Sequence, residues 1–291
     1  MGSTSVGAPA ALPGASAATP VSDRLALAGE PPGASDHPPG ASPESRPDAR
    51  PELPPEASAP SAGSNTRPAA EPAADAPPPL YRAQLPPPFL WRYTLRRGAL
   101  AGSADLHFER SGDDYALDLR GTVIGLEVLG QRSQGTTGMH GLEPARFVER
   151  RMGRDRMSAN FDRAKAQISY SGPTTLKPLL PGVQDRLSWM VQLGAVIAAD
   201  PERFVPGSVV LISISGVRAD VDTWAFQVQG VEQLNLPSGV VNRALRIFRQ
   251  PRQPYDTQIE VWLDPQRHHL PVQARMTVLP SRDRLDLVLD P

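Results

Sequence analysis

Cysteine is absent from the 291 residues. Disulfide staples, thiol nucleophiles and cysteine-ligated zinc or iron–sulfur centres are excluded with it. Its absence suits an oxidising compartment as well as a reducing one. Lysine is nearly missing too: Lys165 and Lys177 stand against 28 arginines. Arginine is the better partner for carboxylates and phosphates, but so uniform a bias reads as compositional. No apolar run approaches the length of a membrane-spanning helix. The first residues, Met1 to Val6, lack the charged start and apolar core of a secretory signal. Val6 also stands where a myristoylation motif favours Ser or Thr. As written, the sequence reads as soluble.

Residues 1–80 contain no Phe, Trp or Tyr, and the first 88 positions hold 21 of the 34 prolines. Such a stretch cannot bury enough apolar area to offset its chain entropy, so residues 1–80 are expected to be a disordered Pro/Ala-rich tether. As pure coil it would average roughly 50 Å from end to end. About 210 residues remain, enough for a sizeable core, and residues 81–291 are read as one domain. The tether carries four Arg against nine Asp plus Glu; the rest has 26 basic against 22 acidic groups. Neither part is basic enough for a nucleic-acid partner.

From Tyr81 onward, apolar and polar residues alternate. Trp91–Arg96, Ala104–Glu109 and Tyr115–Arg120 read as half-buried strands, with Ser111-Gly112-Asp113-Asp114 turning the chain between two of them. Further strand candidates are Gln131–Thr137, Arg146–Met152, Met157–Phe161 and Gln167–Tyr170, with Leu142-Glu143-Pro144 read as a connection. A second series runs through Val209–Ile212, Thr223–Val228, Val241–Arg249, Gln258–Leu263, Val272–Val278 and Leu285–Leu289. Between the two series lies a stretch of different period. Leu187, Met190, Val191, Gly194 and Ile197 fall at helical spacing, and Trp189, Leu193 and Val196 widen the apolar surface. A helix over about 185–199 is expected, with Asp185 as its cap and Asp200-Pro201 as its stop. A helix this apolar must be covered. The expected fold is mainly β: a strongly curved antiparallel sheet or open barrel with one buried α-helix.

Four segments, in this order and spacing, resemble a known family. They are Gly130-Gln131-Arg132-Ser133-Gln134-Gly135, Leu142-Glu143-Pro144-Ala145-Arg146-Phe147, Gln184-Asp185-Arg186-Leu187-Ser188, and Glu260-Val261-Trp262-Leu263 followed by Leu270-Pro271-Val272. The family is the bacterial domain of unknown function 3108, and the resemblance runs from about Arg92 to Leu289. It implies a protein of the Gram-negative periplasm or cell envelope; without a signal segment in the sequence, a cytoplasmic place is the alternative. The family's layout is similar to carriers that hold acyl chains in an open half-barrel, a fold analogy that says little about function.

Catalytic patterns are weak. Ser133 lacks the glycine two residues before it that a nucleophile elbow needs, since Gln131 stands there. His268 and His269 are adjacent, so on a strand they point to opposite faces and do not share a metal. His107 and His140 lie at no ligand spacing. Asp256 and Glu260 share a strand face at about 13 Å, too far for a catalytic pair. No catalytic residue, metal or cofactor is implied. Trp189, Met190, Leu193, Trp224 and Trp262 are candidates for lining an apolar cleft, or for filling the core. Arg150, Arg151, Arg154 and Arg156 surround Gly153 and could receive an anion, although Glu149 and Asp155 interrupt the field. The expected function is therefore a non-catalytic envelope module. It would bind a lipid or other amphiphile, or a partner protein; a structural domain with a closed core is the alternative, and a hydrolase the weakest.

Overall fold

The computed structural model describes residues 77–252 and 256–291, so the tether reading falls almost wholly outside them. Alternation produces the strands where it is found. β1 (Phe89–Arg97), β2 (Leu100–Ser111) and β3 (Asp114–Val123) turn Tyr93, Leu95, Leu106, Phe108, Leu117 and Leu119 inward, all buried. Their outward residues pair across strands, as Arg92 does with Asp105. β4 (Leu126–Gly138), β5 (Gly141–Arg151), β6 (Arg154–Asp162) and β7 (Gln167–Tyr170) continue the meander to the two-residue β8 (Lys177–Pro178). After the two-residue β9 (Gln184–Asp185) comes α1 (Trp189–Ala199), the one α-helix among the described residues. β10 (Val209–Ser215), β11 (Val221–Leu236), β12 (Gly239–Arg249), β13 (Thr257–Asp264), β14 (Leu270–Val278) and β15 (Asp283–Leu289) form the second series.

The two series are one sheet. Its order is β8-β7-β6-β5-β4-β3-β2-β1-β15-β14-β13-β12-β11-β10-β9, and every pairing is antiparallel except the two-residue contact of β9 with β10. β1 joins β15, so the ends of the folded region meet at the middle of the sheet while the middle of the chain forms its two free edges. The sheet curls but does not close. Across the seam, the Tyr170 and Ser215 hydroxyls stand 3.0 Å apart in a hydrogen bond.

Inside the curl lies α1, with Trp189 through Ile197 all buried. Gly194 makes the fit: a Cβ there would stand 2.3 Å from the His269 carbonyl oxygen, at the entry to β14. The helix begins at Trp189 rather than near 185. The Asp185 carboxylate accepts from the amides of Leu187 (2.8 Å) and Ser188 (2.7 Å), closing a turn ahead of the helix instead of capping it. Ser188 takes the N-cap position without a side-chain cap bond.

Leu142-Glu143-Pro144 is strand, not connection. Proline is tolerated there because β4 and β5 shift register between Gln134 and Gly135, opposite Pro144. Gly135 permits the close approach, since a Cβ would lie 2.1 Å from the Glu143 carbonyl oxygen.

Residues 80–85 are strapped across one mouth of the barrel. Gln84 donates to the Ala195 carbonyl (2.8 Å), Ala83 to that of Met139 (3.2 Å), and the Tyr81 hydroxyl accepts from Leu211 N–H (3.2 Å). Arg203 lies 5.3 Å over the Tyr81 ring, which packs edge-on to Phe204.

Candidate functional site

Two features of the interior stand out: an aromatic centre and a polar seam. Trp189 on α1 stacks on Phe226 of β11 with centroids 5.3 Å apart, and Trp224 meets both rings at 6.0 and 5.9 Å. Arg186 and Arg249 lie over Trp224 at 4.8 and 4.3 Å. Both cations are themselves paired: Arg186 with Asp220, and Arg249 with Asp256 (2.8 Å) and Asp222 (3.4 Å). The structure thus brings Trp189, Met190, Leu193 and Trp224 into one buried core, where they fill space rather than line it. Trp262 is buried too, but on the other face of the sheet. It stands opposite Arg246 on the outer face of β13, under Arg246 (5.7 Å) and Arg275 (5.8 Å), and its indole N–H donates to Glu232 (2.9 Å). Neighbouring strand residues point to opposite faces, so Leu263 beside it turns inward and is buried there.

The polar seam runs beneath the start of α1. Ser133 stands opposite Leu117 on one side and Phe147 on the other, on the inner face of β4. Its hydroxyl donates to Asp185 (2.5 Å) and is hydrogen-bonded to the Tyr115 hydroxyl (2.8 Å). Gln184 donates to the Leu142 carbonyl (2.8 Å); Gln192 accepts from Leu142 N–H (2.8 Å) and donates to the His140 carbonyl (2.7 Å). Two residues along β4, Gln131 faces Glu149 of β5 across the pair. Burial pushes the Glu149 carboxyl up to about 7, opposed by Arg186 and Arg218 and assisted by Asp220. Burial also pushes Asp185 up to about 6, against the hydrogen bonds from Ser133, Ser188 and Leu187 that favour its charge. Both amide atoms of Gln131, Gln184 Oε1 and Arg186 Nη1 are buried without a hydrogen-bond partner. Such orphaned groups are where buried water is usually held. In the sequence Gln131, Ser133 and Gln184–Ser188 belong to separate family segments and carry no sign of a joint role. Their meeting depends on strands far apart in the chain, and the signal available was polar residues at inward positions of an otherwise alternating strand.

The other sequence candidates lie apart. Arg150, Arg151, Arg154 and Arg156 flank the tight turn Met152-Gly153 between β5 and β6, with Arg150 paired to Asp155 (3.2 Å) and Gly153 N–H donating to Glu127 (3.0 Å). His268 and His269 both have positive φ in the turn into β14, and His107 lies 3.3 Å from Glu109. Among the described residues, no group of three or more His, Asp or Glu is placed to hold a metal ion. An open cleft of about 680 Å³ does exist, but at the rim near the β2–β3 turn, lined by Pro88, Arg110, Tyr115, Gln134, Thr136 and Ala145 among others.

A sheet apolar within and charged without, curled round one helix, defines an open antiparallel β-barrel whose interior its own chain occupies. Residues 91–288 match the family described as protein of unknown function (DUF3108), and the chain belongs to that family. The resemblance read from Gly130–Gly135 and the three segments after it is thereby borne out. Among solved structures it is similar to the crystal structure of a beta-barrel-like protein of domain of unknown function DUF1849 from Brucella abortus. That likeness has a TM-score of 0.46 and 15% identity, covering 72% of this chain and 97% of that one. No curated protein matches.

Proposed function

We propose that this chain is a non-catalytic module of the bacterial periplasm or cell envelope that acts through its outer surface, its barrel being closed by its own side chains. The observation that carries this reading is the occupied interior. Trp189, Met190, Leu193 and Trp224 are each no more than 1% exposed, leaving the apolar centre to the protein itself. Tyr81 and its neighbours cover the mouth above, and the space beneath them measures about 20 Å³, room for a water. Ser133, the hydroxyl considered as a nucleophile, is fully buried and committed to Tyr115 and Asp185. An envelope place is what the family resemblance implies, and the Pro/Ala-rich composition of residues 1–80 suits a tether.

Native mass spectrometry of the full chain, with organic extraction of the same sample, tests this. Protein at its sequence mass and an extract free of lipid are expected. A stoichiometric amphiphile released only on unfolding would overturn the closed barrel. The rim cleft beside Tyr115 favours a second reading, in which a small amphiphile binds outside the barrel; such a ligand would exchange without unfolding.

A further inference from the structure

Successive hairpin turns on one end of the sheet present large apolar residues to solvent. The β1–β2, β3–β4 and β5–β6 turns all lie at this end, because a meander returns to the same end every second strand. They carry Leu100, Ile124 with Leu126, and Met152, exposed by 53%, 90%, 62% and 69%. By strand spacing the row is roughly 20 Å long. Two of the turns are built alike: Ile124-Gly125 has φ of 50 and 74°, and Met152-Gly153 has φ of 51 and 73°. A two-residue turn of this kind favours Asn or Asp before Gly, and a β-branched residue in the left-handed region is strained. Nothing inside the fold rewards Ile124 or Met152 for being apolar. The bond from Gly153 N–H to Glu127 ties the second of these turns to the third.

Charge accompanies the apolar tips. Across residues 96–100, 120–127 and 150–156 there are seven arginines and two acidic residues, Glu127 and Asp155; Arg97, Arg120 and Arg150 are ion-paired with Asp283, Glu127 and Asp155. Single apolar side chains projecting from tight turns, set in a field of arginine, match an anionic lipid surface: the tips reach past the head groups and the guanidinium groups meet the phosphates. A protein partner would instead call for a continuous apolar patch with a polar rim.

We propose that the end of the barrel formed by Leu100, Ile124, Leu126 and Met152 docks on an anionic bilayer surface. This deepens the reading of a surface-acting envelope module by naming the partner of one end. The test is flotation of the full chain with vesicles of phosphatidylglycerol and phosphatidylethanolamine, against vesicles of phosphatidylcholine. Binding to the anionic vesicles is expected, and it should weaken severalfold on raising the salt to about 0.5 M. The double variant Ile124→Asp, Met152→Asp should bind at least about tenfold less, since it places two carboxylates among lipid phosphates. The pair Ile124→Asn, Met152→Asn should also bind less while melting no lower than the parent, because Asn suits the left-handed turn. Equal binding by parent and variants, or none by the parent, would overturn the proposal. So would tips that crosslink to a protein in cells without any vesicle binding. Failure of flotation with a lipid-free barrel ends this inference alone; a lipid extracted from the interior ends the closed-barrel reading and leaves the flotation result intact.

Discussion

Glu149 and Asp185 are carboxyl groups that burial drives toward neutrality, to about 7 and about 6 from ordinary values of 4.5 and 3.8. The folded chain therefore holds protons at a pH where the unfolded chain releases them. Stability from these two groups is fully present below about pH 4 and is lost as pH rises through 6 to 7. His269, whose pKa burial lowers, works in the opposite sense, losing stability as pH falls through its range. Asp256 is also lowered: burial would raise it, but the pair with Arg249 prevails, and its effect is confined to acid below 3.8. The expected outcome is that Glu149→Gln flattens the fall in melting temperature between pH 5.5 and about 8 relative to the parent. Parallel curves would show that Glu149 is not titrating in the fold. Ser133→Ala should cost about 1–3 kcal/mol in urea unfolding by stranding the Tyr115 hydroxyl and one Asp185 oxygen. It should also push the Asp185 carboxyl further up, since the Ser133 bond is what most favours its charge.

At the scale of the element, α1 shows how local signals and tertiary contacts divide the work. Its apolar residues and its stop before Pro201 were legible from spacing, and the observed helix does end at Ala199. Its start was not. A residue-level reading makes Asp185 a cap, but Asp185 is held in β9 beside Ser215, three residues ahead of Ser188 at the N-cap position. Gly194 carries a similar lesson. Alanine is the better helix former by about 1 kcal/mol, so an isolated helix would gain from Gly194→Ala. In this barrel the new methyl meets the His269 backbone at 2.3 Å, and backbone does not step aside. A loss of about 1–3 kcal/mol is expected, read as a lower urea midpoint. An unchanged or raised midpoint would mean that α1 does not pack this tightly on β14. Leu193→Asp, with its side chain in the same core, should cost several kcal/mol more and abolish a cooperative melt.

For the whole molecule the telling contact is β1 with β15. Tyr93 through Arg97 pair with Leu285 through Leu289, Arg97 binds Asp283, and Asp290 N–H donates to the Arg92 carbonyl (2.9 Å). Removing residues 283–291 should therefore split the sheet into its two series rather than trim an end. Loss of cooperative thermal unfolding, followed by circular dichroism, is the expected result; a truncated chain that melts in one step near the parent's temperature would show that β15 is dispensable. Alternation in the sequence determined which side chains face inward, that the fold is mainly antiparallel β, and that one apolar helix must be enclosed. Each of those is a property of neighbouring residues, set by the two-residue and 3.6-residue periods. Tertiary structure alone decided that the two series join through the ends of the folded region. It alone gathered Gln131, Ser133, Glu149 and Asp185 on one seam. Backbone hydrogen bonds are alike in every strand, so which strands become neighbours is settled by how the apolar faces pack around Trp189, and no short stretch of sequence carries that information.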